Sequence, residues 1–325
     1  MPQKHRVRNW RAYNKALRKR GDLFLYFDEV FLKTNWLYEG KRNSGGRIKY
    51  SNTAIQLMLT IRSFLRLPLR QAQGFVASII QRLGLCLPVP DYTTTCRRAK
   101  TLSLKIKHLN KLDPQKPLHL LIDSTGLSIY SGTYFHAAKY GNPRRIKNGK
   151  AWKKLHIAFD VTSSQIANAH LSESNVQDAA CVEKLTNDPG VRIQSITADR
   201  AYDKARCYQR VHELGAEAII PPYRNARLQK ENRNRSFEEA LKVRDESITL
   251  IRKYPTYDEG VKEWKLERSY HKRSKIEALM HRFKRAFGFS LVSKNMDSMQ
   301  SEVTTKVNIL NLQRSLGGAH FELVT

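Results

Sequence analysis

Three acidic residues have positions that suggest shared chemistry: Asp123, Asp199 and Glu277. Asp123 follows the apolar run 118–122, and Asp199 follows the strand-like run 191–198. Functional groups of open α/β sheets gather at the carboxyl ends of strands, so we expect these two carboxylates to meet. Breaking a phosphodiester bond needs charge stabilisation on the attacking and leaving oxygens, which two divalent cations about 3.5–4 Å apart supply. Three converging carboxylates are hard oxygen ligands of the kind that Mg²⁺ requires, so the set indicates metal-dependent phosphodiester chemistry.

Glu277 is the only acidic residue of a long helix predicted over residues 270–287. At about 100° per residue, Tyr270, Arg273 and Lys284 fall on the same line of this helix as Glu277. A separate apolar stripe can seat the helix on a sheet, and its members are Ile276, Leu279, Met280, Phe283 and Phe287. The polar line then lies at the edge of that contact, facing the strand ends. The alternative is a solvated helix face with an Arg273–Glu277 pair worth about 0.3–0.5 kcal/mol.

The elements that must position these residues begin after Pro117, where apolar strands and helices alternate. Strands are predicted over residues 118–123, 155–161 and 167–171, and these three can pair as a meander. There follow a helix opened by a Ser174–Gln177 capping box over 176–185, a strand over 191–198, a helix over 204–214 ended by Gly215, and a strand over 216–220. Because the later strands need helical crossovers, this order predicts an α/β protein with a ribonuclease-H-like catalytic domain, a mixed sheet flanked by helices.

The first 116 residues are predicted to form an all-helical DNA-binding region. Helices are expected over residues 10–19, 52–67 and 69–83, and a short basic helix follows the turn at 88–90. A helix, a proline-bounded turn and a second short helix fit a helix-turn-helix arrangement. The candidate recognition residues are Thr94, Thr95, Arg97, Arg98 and Lys100. The alternative is that this helical pair is plain scaffolding.

The catalytic domain is assigned to residues 117–325. It contains a polar insertion at about 224–262, which we interpret as partly helical or, alternatively, as a partly disordered loop. The tail at 298–316 has helical spacing and is expected to pack back on the core. The loop 134–154 mixes aromatic and basic residues that can stack on bases and neutralise phosphates. From it we take Lys139, Arg144, Arg145 and Trp152 as candidate DNA contacts, with a solvated loop as the alternative.

Composition favours a nucleic-acid partner. The net charge is +29, and residues 1–116 hold 24 basic and 6 acidic residues. Such an excess points to a polyanion, and nucleic acid is the most common one in a cell. A solvated basic surface or a ribosome-associated protein is the alternative. No apolar run approaches the about 20 residues that span a bilayer, so we expect a soluble intracellular protein with no membrane partner.

Several short motifs resemble a known family. The spacing Tyr270-x2-Arg273-x3-Glu277-x6-Lys284 resembles the Y-(2)-R-(3)-E-(6)-K signature of bacterial insertion-sequence DDE transposases. Residues 121–127, LIDSTGL, and 198–203, ADRAYD, resemble the first and second aspartate motifs of that superfamily. The match is greatest with the insertion sequence five (IS-five) family, and it covers nearly the whole chain.

The resemblance implies specific roles and partners. Asp123, Asp199 and Glu277 would bind two Mg²⁺ ions, which Mn²⁺ can replace, while Tyr270, Arg273 and Lys284 would contact phosphates of the transposon end. The partner would be double-stranded DNA, as terminal inverted repeats and as target. Metal-activated water would cleave the 3′ ends, and each 3′-hydroxyl would then join target DNA. Because two ends must be paired, a homodimer on DNA is expected, in the bacterial cytoplasm and associated with the nucleoid.

Two other functions compete with this reading. One is another ribonuclease-H-fold enzyme, such as a resolvase or an exonuclease, and the other is a non-catalytic DNA-binding repressor derived from a transposase.

The remaining candidate ligands are assigned structural roles. Asp203 is expected to be a helix N-cap, Asp160 to face solvent or a turn, and Asp178 to lie in the first turn of a helix. His119 and His156 are expected to be hydrogen-bonded strand residues.

Overall fold

The computed structural model describes residues 5–22, 25–26, 29–40, 48–107, 116–129, 152–187, 190–229 and 238–323. In this part of the chain the helices are α1 (Trp10–Lys19), α2 (Glu29–Asn35), α3 (Asn52–Leu65), α4 (Leu69–Arg82), α5 (Tyr92–Thr101), α6 (Val182–Thr186), α7 (Ala205–Glu213), α8 (Glu238–Ile251), α9 (Tyr257–Glu267), α10 (Ser274–Phe287) and α11 (Met296–Ser315). The strands are β1 (His5–Val7), β2 (Leu118–Ile129), β3 (Trp152–Asp160), β4 (Gln165–Glu173), β5 (Ile193–Ala198), β6 (Glu217–Ile219), β7 (Ser290–Leu291) and β8 (Phe321–Leu323).

The chain divides into two compact units. A helical unit comprises residues 1–109 together with 293–325, and a sheet-containing unit comprises 110–292. Helix α11 therefore belongs to the helical unit, where it packs on α3 and α5. This differs from the expectation that the tail would return to the catalytic core. The difference lies in the packing partners: α11 is buried along most of its length, with Val303 and Val307 fully buried, and it packs on α3 and α5 of the helical unit.

The helical unit is organised around α3. Ser51 caps this helix, because its side chain accepts a hydrogen bond from the backbone N–H of Ala54. The three helices α3, α4 and α5 pack together, which agrees with the predicted helical pair and its connecting turn. Asp91 caps α5 in the same way through the N–H of Thr93. Thr95 is fully buried in this packing, so it is not available as a recognition residue.

The sheet-containing unit has the predicted topology. Its strands lie in the order β4-β3-β2-β5-β6, with β7 paired to the far end of β2. Strands β2, β3 and β4 are antiparallel, while β5 and β6 run parallel to β2. This mixed sheet, flanked by helices, confirms the ribonuclease-H-like fold. Its core on one face includes Leu120 and Ile122 of β2 and Ile196 of β5, packed against α6 and α7 residues such as Val182 and Tyr208.

Two predicted helices are interrupted. The segment expected to be helical over 176–185 is a 3-10 turn, Asp178–Cys181, followed by the short α6. The helix expected from residue 270 begins only at Ser274, after a separate 3-10 turn, Tyr270–Arg273. Ser269, whose φ of 50° is left-handed, separates this 3-10 turn from the end of α9.

The described part of the insertion is partly helical, as predicted: α8 and the start of α9 lie in it, while residues 224–229 and 252–256 are turns and coil. Helices α8 and α9 pack on one another, and α8 also packs on α7. Gly260 is required at the α8–α9 contact, because a Cβ there would lie 2.2 Å from the carbonyl oxygen of Ile251. In the part of the chain that the structure describes, no helix combines the length and apolar character needed to cross a membrane.

Candidate active site

Asp123 and Asp199 lie at the same level of two adjacent strands. The parallel pairing of β2 with β5 ends at Ile122 opposite Ala198, so the next residue of each strand is an aspartate. Strand β2 itself continues to Ile129, which corrects the expectation that it would end at Asp123. The chain leaves the sheet after β5, because the side chain of Asp199 accepts the N–H of Ala201 at 2.9 Å and caps a 3-10 turn. The two carboxylates are therefore placed side by side by strand pairing.

Glu277 reaches this place from α10. The helix is anchored by its apolar stripe, in which Ile276 and Phe283 are completely buried. Glu277 lies next to that stripe in the first turn, and its side chain is 58% exposed. The predicted division of the helix into a buried apolar stripe and a polar edge is confirmed.

One guanidinium joins all three carboxylates. Arg273 donates from Nη2 to Oδ2 of Asp123 at 2.9 Å, and the same nitrogen lies 3.8 Å from Oδ2 of Asp199. Its Nη1 donates to Oε1 of Glu277. The side chain of Arg273 is only 17% exposed, so this contact is shielded from solvent. Residues from β2, β5 and α10 thus converge on a single cation.

The electrostatics of the cluster reflect this convergence. Burial raises the pKa of the Asp123 carboxyl, and the negative charges of Asp199 and Glu277 raise it further. The Arg273 guanidinium and the backbone N–H of Ser124 act in the opposite direction. The neighbouring positive charge of Arg273 therefore favours the ionised form of Asp123 against the effect of burial.

The donor set is suitable for a divalent cation. Among the described residues, no three His, Cys, Asp or Glu side chains are already spaced as ligands of a single ion. The guanidinium of Arg273 instead lies among the three carboxylates and balances their charge. Three carboxylates around one cation supply the hard oxygens that Mg²⁺ and Mn²⁺ prefer. The residues present therefore fit such an ion in charge and ligand type, provided that Arg273 withdraws.

Tyr270 and Lys284 flank the cluster along the chain. The Tyr270 ring lies 5.5 Å from that of Trp264, and burial raises its pKa to about 12. Lys284 is half-buried on α10, and its Nζ is 5.9 Å from the ring centroid of Phe289. Tyr270 lies in the 3-10 turn before α10, and it lines the same cleft as Arg273 and Glu277.

Asp203 has a different role from the one predicted. It does not cap α7, whose N-cap is Lys204. Its buried carboxylate instead accepts hydrogen bonds from Arg244 Nε at 2.6 Å, the Tyr208 hydroxyl at 3.2 Å and the Tyr223 N–H at 2.9 Å. Nothing in the sequence indicated Arg244, because it comes from the insertion helix α8, 41 positions away.

The other candidate ligands have structural partners. Asp160 is buried and accepts the backbone N–H groups of His119 and Ser163, which is the predicted turn role. Asp178 lies in the first turn of a 3-10 helix, 3.2 Å from Lys154 Nζ. Both histidines are hydrogen-bonded strand residues as predicted: His119 pairs with Ser195 and His156 with Ser172, each at 2.8 Å.

The candidate DNA contacts outside the cluster differ in exposure. Arg97 and Lys100 are exposed on α5, while Arg98 donates to the Tyr50 carbonyl at 3.1 Å and to Asn52 Oδ1 at 2.5 Å. Arg98 therefore ties α5 to the start of α3.

Four further candidates come from residues 134–154, the segment predicted as a loop rich in basic and aromatic residues. Trp152 is half-buried at the start of β3, and its ring lies over Gly126. Lys139, Arg144 and Arg145 lie outside the described residues.

Two family models match the chain. Both are described as a transposase DDE domain, and they match residues 18–132 and 114–312. The second match alone covers more than half of the chain. A solved chain in the Drosophila P element transposase strand transfer complex is 12% identical, with 89% of this chain and 86% of that chain covered, at a TM-score of 0.29. At this TM-score the two structures are too different to support a conclusion. The family of this chain is therefore assigned from the two family models.

Proposed function

The chain belongs to the transposase DDE domain family, and from this premise we propose that Asp123, Asp199 and Glu277 form its catalytic centre. The substrate is double-stranded DNA, present as the terminal inverted repeats of the element and as target. The centre cleaves the 3′ ends by hydrolysis and then joins each 3′-hydroxyl to target DNA. The same proposal places the chain in the bacterial IS-five family. It also places the protein in the cytoplasm, at the nucleoid.

The observation that supports this proposal is the convergence of the three carboxylates on Arg273. These residues come from positions 123, 199 and 277, yet one guanidinium contacts all of them. A purely structural ion pair needs one carboxylate for each guanidinium. A site for cations needs several acidic ligands around one point, which is the arrangement described here.

Two bound Mg²⁺ or Mn²⁺ ions would supply an activated water and stabilise the leaving oxygen. Within the chain, Asp123, Asp199 and Glu277 hold the negative charge that retains such ions. Burial raises the pKa of the Tyr270 phenol to about 12, which further disfavours the phenolate that a covalent link would need. A protonated phenol is a poor nucleophile, so no covalent link between Tyr270 and DNA is expected.

The proposed DNA contacts have two bases: the Y-R-E-K signature for residues near the cluster, and charge and exposure for residues of α5. Tyr270, Arg273 and Lys284 would contact phosphates at the transposon end, and Arg97 and Lys100 would contact DNA from α5. Arg98 would support that contact by holding α5 in place. Lys139, Arg144, Arg145 and Trp152 remain candidates by composition alone. Pairing two ends needs two catalytic centres, so we infer a homodimer on DNA.

The test is cleavage of end DNA by the purified protein with Mg²⁺ or Mn²⁺. Asp123→Asn removes a charge without changing shape, and it should abolish 3′-end nicking while end binding persists. Glu259→Gln is the matched control, because Glu259 is an exposed acid on α9 that lies outside the carboxylate cluster. Nicking by Asp123→Asn at the wild-type rate would overturn the proposed centre. Binding without nicking by any of the proteins would favour a transposase-derived repressor.

A further inference from the structure

A cleft of about 590 Å³ extends from the candidate active site to the insertion. Helix α9 forms one side of it, and the segment from Tyr270 into α10 contributes residues that include Arg273 and Glu277. The cations Arg200, Lys262 and Lys265 also line it. Because Glu277 belongs to both, the cleft and the carboxylate cluster form one continuous surface.

Aromatic rings hold two of these cations in place. The guanidinium carbon of Arg200 lies 5.5 Å from the ring centroid of Tyr257, and Lys265 Nζ lies 5.8 Å from that of Tyr270. The Tyr257 ring is itself fixed, because its hydroxyl donates to the Pro222 carbonyl at 2.8 Å. Such contacts orient a cation without neutralising its charge. The positive charge therefore remains available to a ligand.

These cations lack anionic partners. Within the described ranges, no carboxylate forms an ion pair with Arg200, Lys262 or Lys265, and the buried Nε of Arg200 has no hydrogen-bond acceptor.. The acids of the cleft are Asp258 and Glu277, and Glu277 is already paired with Arg273. A buried N–H without an acceptor is unfavourable, so a ligand that supplies an acceptor would be stabilised here.

The size of the cleft limits the ligand. A volume near 590 Å³ falls in the range of about 300–1,000 Å³ that holds a small molecule. A duplex, whose grooves alone are about 6 and 12 Å wide, does not enter such a space. One unpaired strand, with a phosphate at every nucleotide, is narrow enough to enter the cleft.

We propose that this cleft binds the phosphates of a single DNA strand adjacent to the bond being cut, through Arg200, Lys262 and Lys265. The inference rests on the proposed transposase function, and it assigns the insertion a role in holding one strand beside the cleaved bond. Exposed lysines at the mouth supply long-range attraction, and the half-buried Arg200 supplies the oriented contact.

The test measures binding in EDTA, where no cleavage occurs. Two labelled probes are compared: a blunt DNA duplex, and the same duplex carrying a short single-stranded extension. The full-length wild type should bind the extended probe more tightly than the blunt one. In Lys262→Ala/Lys265→Ala this preference should fall by about tenfold, and the salt slope for the extended probe should fall by about 1.4, at about 0.7 per phosphate of a single strand.

The matched control is Lys242→Ala/Lys253→Ala, which removes two exposed lysines of the insertion that do not line the cleft. It should keep the wild-type preference for the extension. Equal losses in the two double variants, or no loss in the cleft variant, would overturn the inference. The two proposals can fail separately. If the wild type does not nick end DNA, the proposed function is wrong. If only the cleft variant loses the preference for the extended probe, the strand-binding site is still supported.

Discussion

Arg273 Nη2 lies 2.9 Å from Oδ2 of Asp123, although the two residues are 150 positions apart in the chain. Strand pairing places Asp123 beside Asp199, and a helix anchored on the sheet brings Arg273 and Glu277 to the same point. The guanidinium therefore serves as the counter-charge of the cluster. This relationship has consequences that can be measured without DNA.

Arg273→Ala should make the protein more dependent on metal for its stability. Without the guanidinium, three carboxylates repel one another, and the loss of its charged hydrogen bonds should cost about 1–3 kcal/mol in EDTA. Added Mg²⁺ or Mn²⁺ should then raise the melting temperature of the variant more than that of the wild type, because no guanidinium has to be displaced. Thermal unfolding with EDTA and with each cation measures both effects.

Arg282→Ala is the control, since Arg282 is an exposed arginine of the same helix. Its response to each cation should match that of the wild type. An Arg273→Ala protein that gains no more from metal than the wild type would show that the three carboxylates do not share a cation site.

Lys284→Ala should weaken binding to duplex end DNA. If Lys284 contacts one phosphate, the slope of log K against log salt should fall by about 0.9. Lys275→Ala provides the comparison, because Lys275 lies about 200° around the helix from Glu277. Binding titrations at several salt concentrations measure the slope, and equal slopes for Lys284→Ala and the wild type would remove Lys284 from the interface.

Asp203→Asn should destabilise the fold strongly. Asp203 has no exposed side-chain surface, and its substitution leaves the Arg244 charge buried without its partner. Losing one member of a buried pair costs about 3–5 kcal/mol. Urea unfolding should show this shift, and Asp203→Leu/Arg244→Met should recover part of it because both charges are removed together.

The exposed pair of Lys242 and Glu239 supplies the reference. Lys242→Met should leave the urea midpoint of unfolding close to that of the wild type, because an exposed ion pair contributes little to stability. A similarly small effect of Asp203→Asn would mean that the insertion is not held to the Asp199 turn by this ion pair.

His156 should make the protein sensitive to mild acid. Burial lowers the pKa of its imidazole to about 4 in the folded protein, against about 6.5 in an unfolded chain. As the pH falls, the unfolded chain therefore binds the proton at a higher pH than the folded protein does. The contribution of neutral His156 to the free energy of unfolding is complete above about pH 6.5 and is lost as the pH falls towards 4. At about pH 5 the loss should be about 2 kcal/mol. Urea unfolding at about pH 7 and pH 5 measures it.

The variant His156→Gln separates this residue from the other titrating groups. It cannot gain the proton, so its stability should change less than that of the wild type between the two pH values. An equal change in both proteins would show that the buried imidazole is not the source.

Local patterns in the sequence determined the sheet and two of the acidic positions. Alternation and apolar runs placed β2 to β6, because burial on a sheet imposes a period of two or a continuous apolar segment. The positions of Asp123 and Asp199 followed from that prediction. Each comes directly after a residue of a paired parallel strand, Ile122 or Ala198, so the two carboxylates lie side by side. The apolar stripe of α10 was also readable, because Ile276, Phe283 and Phe287 recur at helical spacing.

Tertiary structure alone decided the long-range partners. The Arg273 contact with Asp123 and the Arg244 contact with Asp203 join residues 150 and 41 positions apart, and no local pattern specifies such pairs. The left-handed Ser269 and the assignment of α11 to the helical unit were likewise missed. Propensity and periodicity report what a segment does with its own neighbours along the chain. Which buried charge meets which, and which apolar face covers another, depends on packing between segments that the sequence keeps far apart.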